Sequence, residues 1–163
     1  MTQPPSEAPA PRQEPRPYDR QRYEQLTQRT GALLVQLAPP DWRRIDLKIL
    51  MTAGAADLRL TVIMKDGSSP PVEPVPELTH IAAELRSMMY RPGEGTWFGM
   101  RYMMDPPGAY WVSFNSDFDP LWDPPLPGEF FAQDLAVFPR ADEHVPRWLH
   151  DRIQQPAGDG GAR

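Results

Sequence analysis

Large apolar residues first recur three or four apart: Tyr23, Leu26, Leu33, Leu34 and Leu37, with Thr30 among them. That spacing lays them along one stripe of a helix and predicts α-helix over 18–37, stopped by Pro39-Pro40. Trp42 is expected as an apolar plug where the chain enters a sheet. The period then falls to two. Ile45, Leu47, Ile49 and Met51 alternate with Asp46, Lys48 and Leu50; Leu58, Leu60, Val62 and Met64 alternate with Arg59, Thr61 and Ile63. Two strands with one apolar face are predicted, joined through Thr52-Ala53-Gly54-Ala55. Val72-Glu73-Pro74-Val75 reads as extended, but its proline restricts it to an edge or a connector. Helical spacing returns at Pro76, a residue suited to a first turn, with Leu78, Ile81, Leu85, Met88 and Met89 on the buried stripe.

Pro92-Gly93-Glu94-Gly95 ends that helix and introduces a hairpin. Its arms are Thr96–Met104 and Tyr110–Asn115, around the turn Asp105-Pro106-Pro107-Gly108-Ala109. Two helices follow. One runs over 129–138 with Phe131, Leu135 and Phe138 inward. The other starts at Pro146 and carries Trp148, Leu149 and Ile153. The order is α-β-β-(β)-α-β-β-α-α. Strand pairs joined by short turns are antiparallel. The expected fold is therefore α+β: a mostly antiparallel sheet of four to five strands with helices packed on one face. Alternation divides the hairpin. Phe98, Met100, Tyr102 and Met104 are expected beneath the helices. Trp97, Met103 and Trp111 are expected on a second face, either open or covered by one of the last two helices.

Hydrophobic residues make up 40% of the 163, enough for the core of one domain. Residues 1–17 hold six prolines and no large apolar side chain after Met1, and are expected to form a disordered, proline-rich tail. The domain is placed over 18–153 and a flexible tail over 154–163. No apolar leader segment and no bilayer-length apolar run is visible, so a soluble, cytoplasmic protein with no membrane partner is expected. The chain has no cysteine, which removes disulfides, thiolate metal sites and cysteine nucleophiles.

Charge sharpens the picture. Between Asp105 and Glu143 there are eight acidic residues and a single base, Arg140, whereas the flanking segments are close to neutral. Within that stretch lies Ser116-Asp117-Phe118-Asp119-Pro120-Leu121-Trp122-Asp123, which is expected to place carboxylates among exposed rings with no nearby cation. Such a surface repels phosphate backbones and attracts basic proteins. No nucleic-acid partner is expected.

Catalytic patterns are sparse. His80 falls on the exposed side of its helix, and His144 and His150 are six apart, a poor spacing for shared metal ligation. Asp117 and Asp119 have the spacing of the opening ligands of a calcium loop, but the loop glycine and the glutamate at the twelfth position are missing. Neither Gly93-Glu94-Gly95 nor Gly158-Asp159-Gly160-Gly161 has the spacing of a phosphate loop. No serine nucleophile motif occurs. No cofactor and no metal are expected, and the chain is not expected to be an enzyme.

Four segments together resemble the YezG-like immunity proteins, antitoxins of bacterial polymorphic toxin systems, in an actinobacterial form. They are Ala38-Pro39-Pro40-Asp41-Trp42-Arg43-Arg44, Gly95-Thr96-Trp97-Phe98, Phe114-Asn115-Ser116-Asp117 and Phe138-Pro139-Arg140. The likeness covers about 23–153, with Ser116 where family members often carry tyrosine. The resemblance implies no catalytic residue. It implies stoichiometric binding to a cognate secreted toxin domain, commonly one attacking nucleic acid. The expected partner-binding set is Trp97, Asn115, Asp117, Asp119, Trp122 and Asp123, with Asn115 alternatively fixing the strand end through its own backbone bonds. An acidic adaptor or secretion chaperone for a secreted effector is the competing expectation.

Overall fold

The computed structural model describes residues 8–155. Asp19 starts the first helix, α1 (Arg20–Leu37): its carboxylate accepts the Arg22 N–H at 3.1 Å, satisfying a donor that the first turn leaves free. The two period-two segments form β2 (Trp42–Met51) and β3 (Ala55–Met64). Thr52 closes the turn between them, its hydroxyl accepting from the Gly54 and Ala55 N–H groups. Helix α2 (Pro76–Met88) begins at the expected proline. The hairpin is β4 (Gly99–Asp105) and β5 (Ala109–Asn115), and the chain ends in α3 (Gly128–Val137) and α4 (Arg147–Gln154). Val72–Val75 is a connector. With the two-residue β1 (Ala8–Pro9), the sheet order is β1-β3-β2-β4-β5, antiparallel throughout. The α+β class and the antiparallel sheet are as expected. No helix of the described residues is long and apolar enough to cross a membrane.

Alternation along β2 sends Ile45, Leu47, Ile49 and Met51 into a core shared with Leu26, Leu33 and Leu34 of α1 and Leu78, Ile81 and Leu85 of α2. Each such side chain contributes roughly 1.5–3 kcal/mol by leaving water. Helix α1 comes close to the sheet at Gly31, where a Cβ would lie 2.7 Å from the Tyr102 hydroxyl. That hydroxyl donates to the Thr27 carbonyl at 2.9 Å.

Helices do not keep to one face, which corrects the expected layering. Leu50, between Ile49 and Met51, points the other way. With Ala55 it meets Phe98, Trp122, Leu126, Phe131 and Leu149 in a second core under α3 and α4. The apolar residues of 118–149 need a surface of their own, and Leu50 at a nominally polar position supplies its floor.

The faces of Trp97 and Phe98 are likewise exchanged. Trp97, 1% exposed, packs in the α1–α2 core beside Phe114, their ring centroids 5.7 Å apart, while Phe98 packs edge-on to Phe131 and Trp148. A bend at Phe98 breaks the period-two pleat just before β4.

The expected disorder over 1–17 is corrected where it can be seen. Residues 1–7, like the tail over 156–163, lie outside the described residues. Ala8–Pro9 pairs with β3, and Gln13 is buried. The Gln13 amide donates to the Thr52 carbonyl at 2.9 Å and accepts from Arg86 at 3.1 Å. Arg86 is fully buried on α2. It donates to the Trp97 carbonyl at 2.6 Å and to both oxygens of buried Asp134 on α3, at 2.6 and 2.9 Å. Asp134 also accepts from the Ala53 N–H at 2.7 Å. One ion pair thus ties the N-terminal segment, the β2–β3 turn, α2 and α3 together.

Candidate functional site

Chain geometry after β5 is set by Asn115. Its side-chain oxygen accepts from the Phe118 N–H at 2.9 Å and from the Asp117 N–H at 3.3 Å, and its nitrogen donates to the Phe118 carbonyl at 3.0 Å. This is a local turn fixed by a short polar side chain, so Asn115 plays the backbone role among its two expected ones. Asp119 repeats the device, accepting from the Leu121 N–H at 3.0 Å. Leu121 sits at φ 59°, a left-handed conformation that costs a branched side chain roughly 1–2 kcal/mol.

Side chains from the rest of the fold brace this loop. Trp148 of α4 donates its indole N–H to the Asp117 carbonyl at 2.7 Å, and Arg140 donates to the Ser116 carbonyl at 2.8 Å while also holding Thr96 and His144. Arg59 of β3 reaches the Asp123 carbonyl at 2.8 Å. Arg152 of α4 pairs with the Asp119 carboxylate at 2.9 Å. Burial pulls the Arg140 guanidinium below its ordinary value, with Asp134 and then Asp117 opposing that shift. The expectation of a loop without nearby cations is therefore corrected: three arginines come from elsewhere in the fold.

The six expected contact residues divide. Trp97 and Trp122 are core, at 1% and 8% exposure, and offer nothing to a partner. Asp119 is half-buried and neutralised by Arg152. Asn115 spends its side chain on the loop. Asp117 and Asp123 are exposed and make no ion pair among the described residues. Two side chains that the sequence pattern passed over stand between them: Phe118 at 78% and Leu121 at 71% exposure. Their signal was the end of alternation at Asn115, which frees later apolar residues from any strand face. The resulting surface is two unpaired carboxylates around two apolar knobs on a fastened backbone.

Other chemistry is thin. Among the described residues no group of three or more His, Cys, Asp or Glu side chains is arranged to hold a metal ion. His80, His144 and His150 are exposed. The depression beside the loop, lined by Lys48, Leu50, Arg101, Ser113, Asn115 and Asp119, is open to solvent. Comparison with protein-family models and with curated proteins finds no match to this chain.

Proposed function

We propose that this chain is a non-catalytic immunity protein that works in the cytoplasm by binding and neutralising a cognate secreted toxin domain, one that acts on nucleic acid. The observation that carries the reading is the loop 117–123, where Phe118 and Leu121 stand out of the surface between the free carboxylates of Asp117 and Asp123. A toxin that holds nucleic acid needs a basic surface. Carboxylates facing that surface speed capture, and apolar side chains seated in its pockets slow release. A loop already fixed in the free protein loses little conformational entropy on binding.

The contact set of this proposal is Asp117, Phe118, Leu121 and Asp123. Trp97, Asn115, Asp119 and Trp122 move to a supporting role, since each is spent on the core or on the loop itself. The test is co-expression with the C-terminal domain of the secreted toxin encoded next to this gene. Cell survival and a co-purified complex are expected. Truncating Phe118 and Leu121 together to Ala should then weaken the complex by at least ~30-fold, as loss of a ≥2 kcal/mol hot spot does. Reversing Asp117 and Asp123 to Lys should slow association most at low salt. Cell death with no complex sinks the reading. Binding to an unfolded leader peptide instead of the folded toxin domain moves the chain to the adaptor class.

A further inference from the structure

We propose that the outer edge of β5 is a self-association site, pairing antiparallel with β5 of a second copy of this chain to make one continuous sheet across a two-fold axis. Among the described residues β5 pairs only with β4, so its other side presents a row of unpaired backbone donors and acceptors. Such edges are commonly blunted by charge, by proline or by cover. The opposite edge of this sheet is: β3 carries Asp57 and Arg59, and its start is covered by β1, where Pro9 has no N–H to offer. β5 has none of these. From Pro106 to Ser116 the sequence Pro-Pro-Gly-Ala-Tyr-Trp-Val-Ser-Phe-Asn-Ser contains no charged residue, and the strand itself contains no proline.

Both faces along the edge carry exposed rings. On the helix side stand Tyr110, 43% exposed and stacked on Tyr102, and Tyr18, 59% exposed against Tyr23; on the other face stands Trp111 at 51%. A second copy is the occupant that fits the charge. Each molecule carries −5, and an uncharged edge is where two such molecules can meet with no acid opposed to acid. With Val112 facing its own twin, Tyr110 lies opposite Phe114 of the other copy, an aromatic cross-strand pair formed twice. The same register sets the acidic loop beginning at Asp117 beside the uncharged Pro106-Pro107-Gly108 turn of the other copy. The two acidic loops then lie at opposite ends of the joined strands, both still open to a partner. This pairing does not depend on the immunity proposal.

The full chain should sediment, at tens of micromolar, with twice the 18.5 kDa of one chain. Ser113→Glu places an acid opposite Arg101 within the chain, which the fold accepts, but two acids about 7–8 Å apart across the proposed axis. It should return the mass to 18.5 kDa with an unchanged circular dichroism spectrum. Val112→Cys gives a cysteine-free protein one thiol that meets only its twin, and directly opposed strand residues lie within disulfide reach. Mild oxidation should convert it to a covalent dimer. A wild-type mass of 18.5 kDa overturns the proposal. So does a dimer that persists in Ser113→Glu, or a Val112→Cys protein that oxidation leaves monomeric.

Discussion

Removing Asp134 tests whether the buried Arg86 network is what holds the N-terminal segment, α2 and α3 on the sheet. In Asp134→Ala the Arg86 guanidinium stays fully buried and keeps only the Trp97 carbonyl and the Gln13 amide oxygen as acceptors. Breaking a buried pair by deleting one partner costs about 3–5 kcal/mol. The Ala53 N–H loses its acceptor as well, adding about 1 kcal/mol. Against a domain stability of about 5–15 kcal/mol the loss is severe. At about 2–4 °C per kcal/mol for a chain of this length, the melting temperature should fall by at least about 8 °C. Urea unfolding followed by tryptophan fluorescence reports the same change through Trp97, which stacks near Arg86. The double variant Arg86→Met with Asp134→Leu should be more stable than Asp134→Ala, because an apolar pair carries no buried charge. A melting point for Asp134→Ala within about 2 °C of the wild type would refute the reasoning.

Gly128→Ala should destabilise by about 1–3 kcal/mol in a thermal melt, because its Cβ would collide with the Arg152 backbone carbonyl where α3 meets α4; Gly108→Ala, with open space around it, should change little. Tyr102 is pushed well above the ordinary tyrosine range, first by burial and then by Tyr110. Its folded-state pKa exceeds its unfolded one, so its contribution is intact below about pH 10 and is lost as pH rises further. In an absorbance titration at alkaline pH, one of the five tyrosines should ionise only together with unfolding. Asn115→Ala should free the Phe118 amide, seen as faster hydrogen exchange at that position, while lowering overall stability by only about 1 kcal/mol.

Much of the fold was legible because periodicity speaks directly about faces. Ile45 to Met51 alternate and lie in the sheet; Leu78, Ile81 and Leu85 recur at helical spacing and lie in the core. What was not legible depended on contacts remote in sequence. Gln13 looks like tail composition, yet Thr52 and Arg86 bury it, from 39 and 73 residues away. Arg86 reads as a surface cation until Asp134, 48 residues on, is placed beside it. Trp97 looked like an open face because alternation was carried backward through Phe98, where the backbone bends and resets which side each residue meets. Site residues failed in the same manner. An acidic, aromatic composition marked out the loop after β5 but could not say which rings it keeps inside.

The distribution of cations around that loop separates two tasks that composition confuses. Arg59 and Arg140 come close to the acidic segment, yet both donate to backbone carbonyls there and leave the carboxylates alone. Trp148 holds a third carbonyl without bringing any charge. Only Asp119 is neutralised, and it is the acid whose other oxygen fixes Leu121 in its left-handed turn. The loop is thus fastened mostly by its backbone carbonyls, and the fastening leaves the carboxylates of Asp117 and Asp123 without an ion pair among the described residues. Pairing them in the free protein would add at most about 1 kcal/mol at such exposed positions, so their charge stays available. Strain at Leu121 points the same way: an apolar side chain is held 71% in water by a backbone conformation that glycine would adopt at lower cost. The basic partner with an apolar pocket that we propose would account for both expenditures at once.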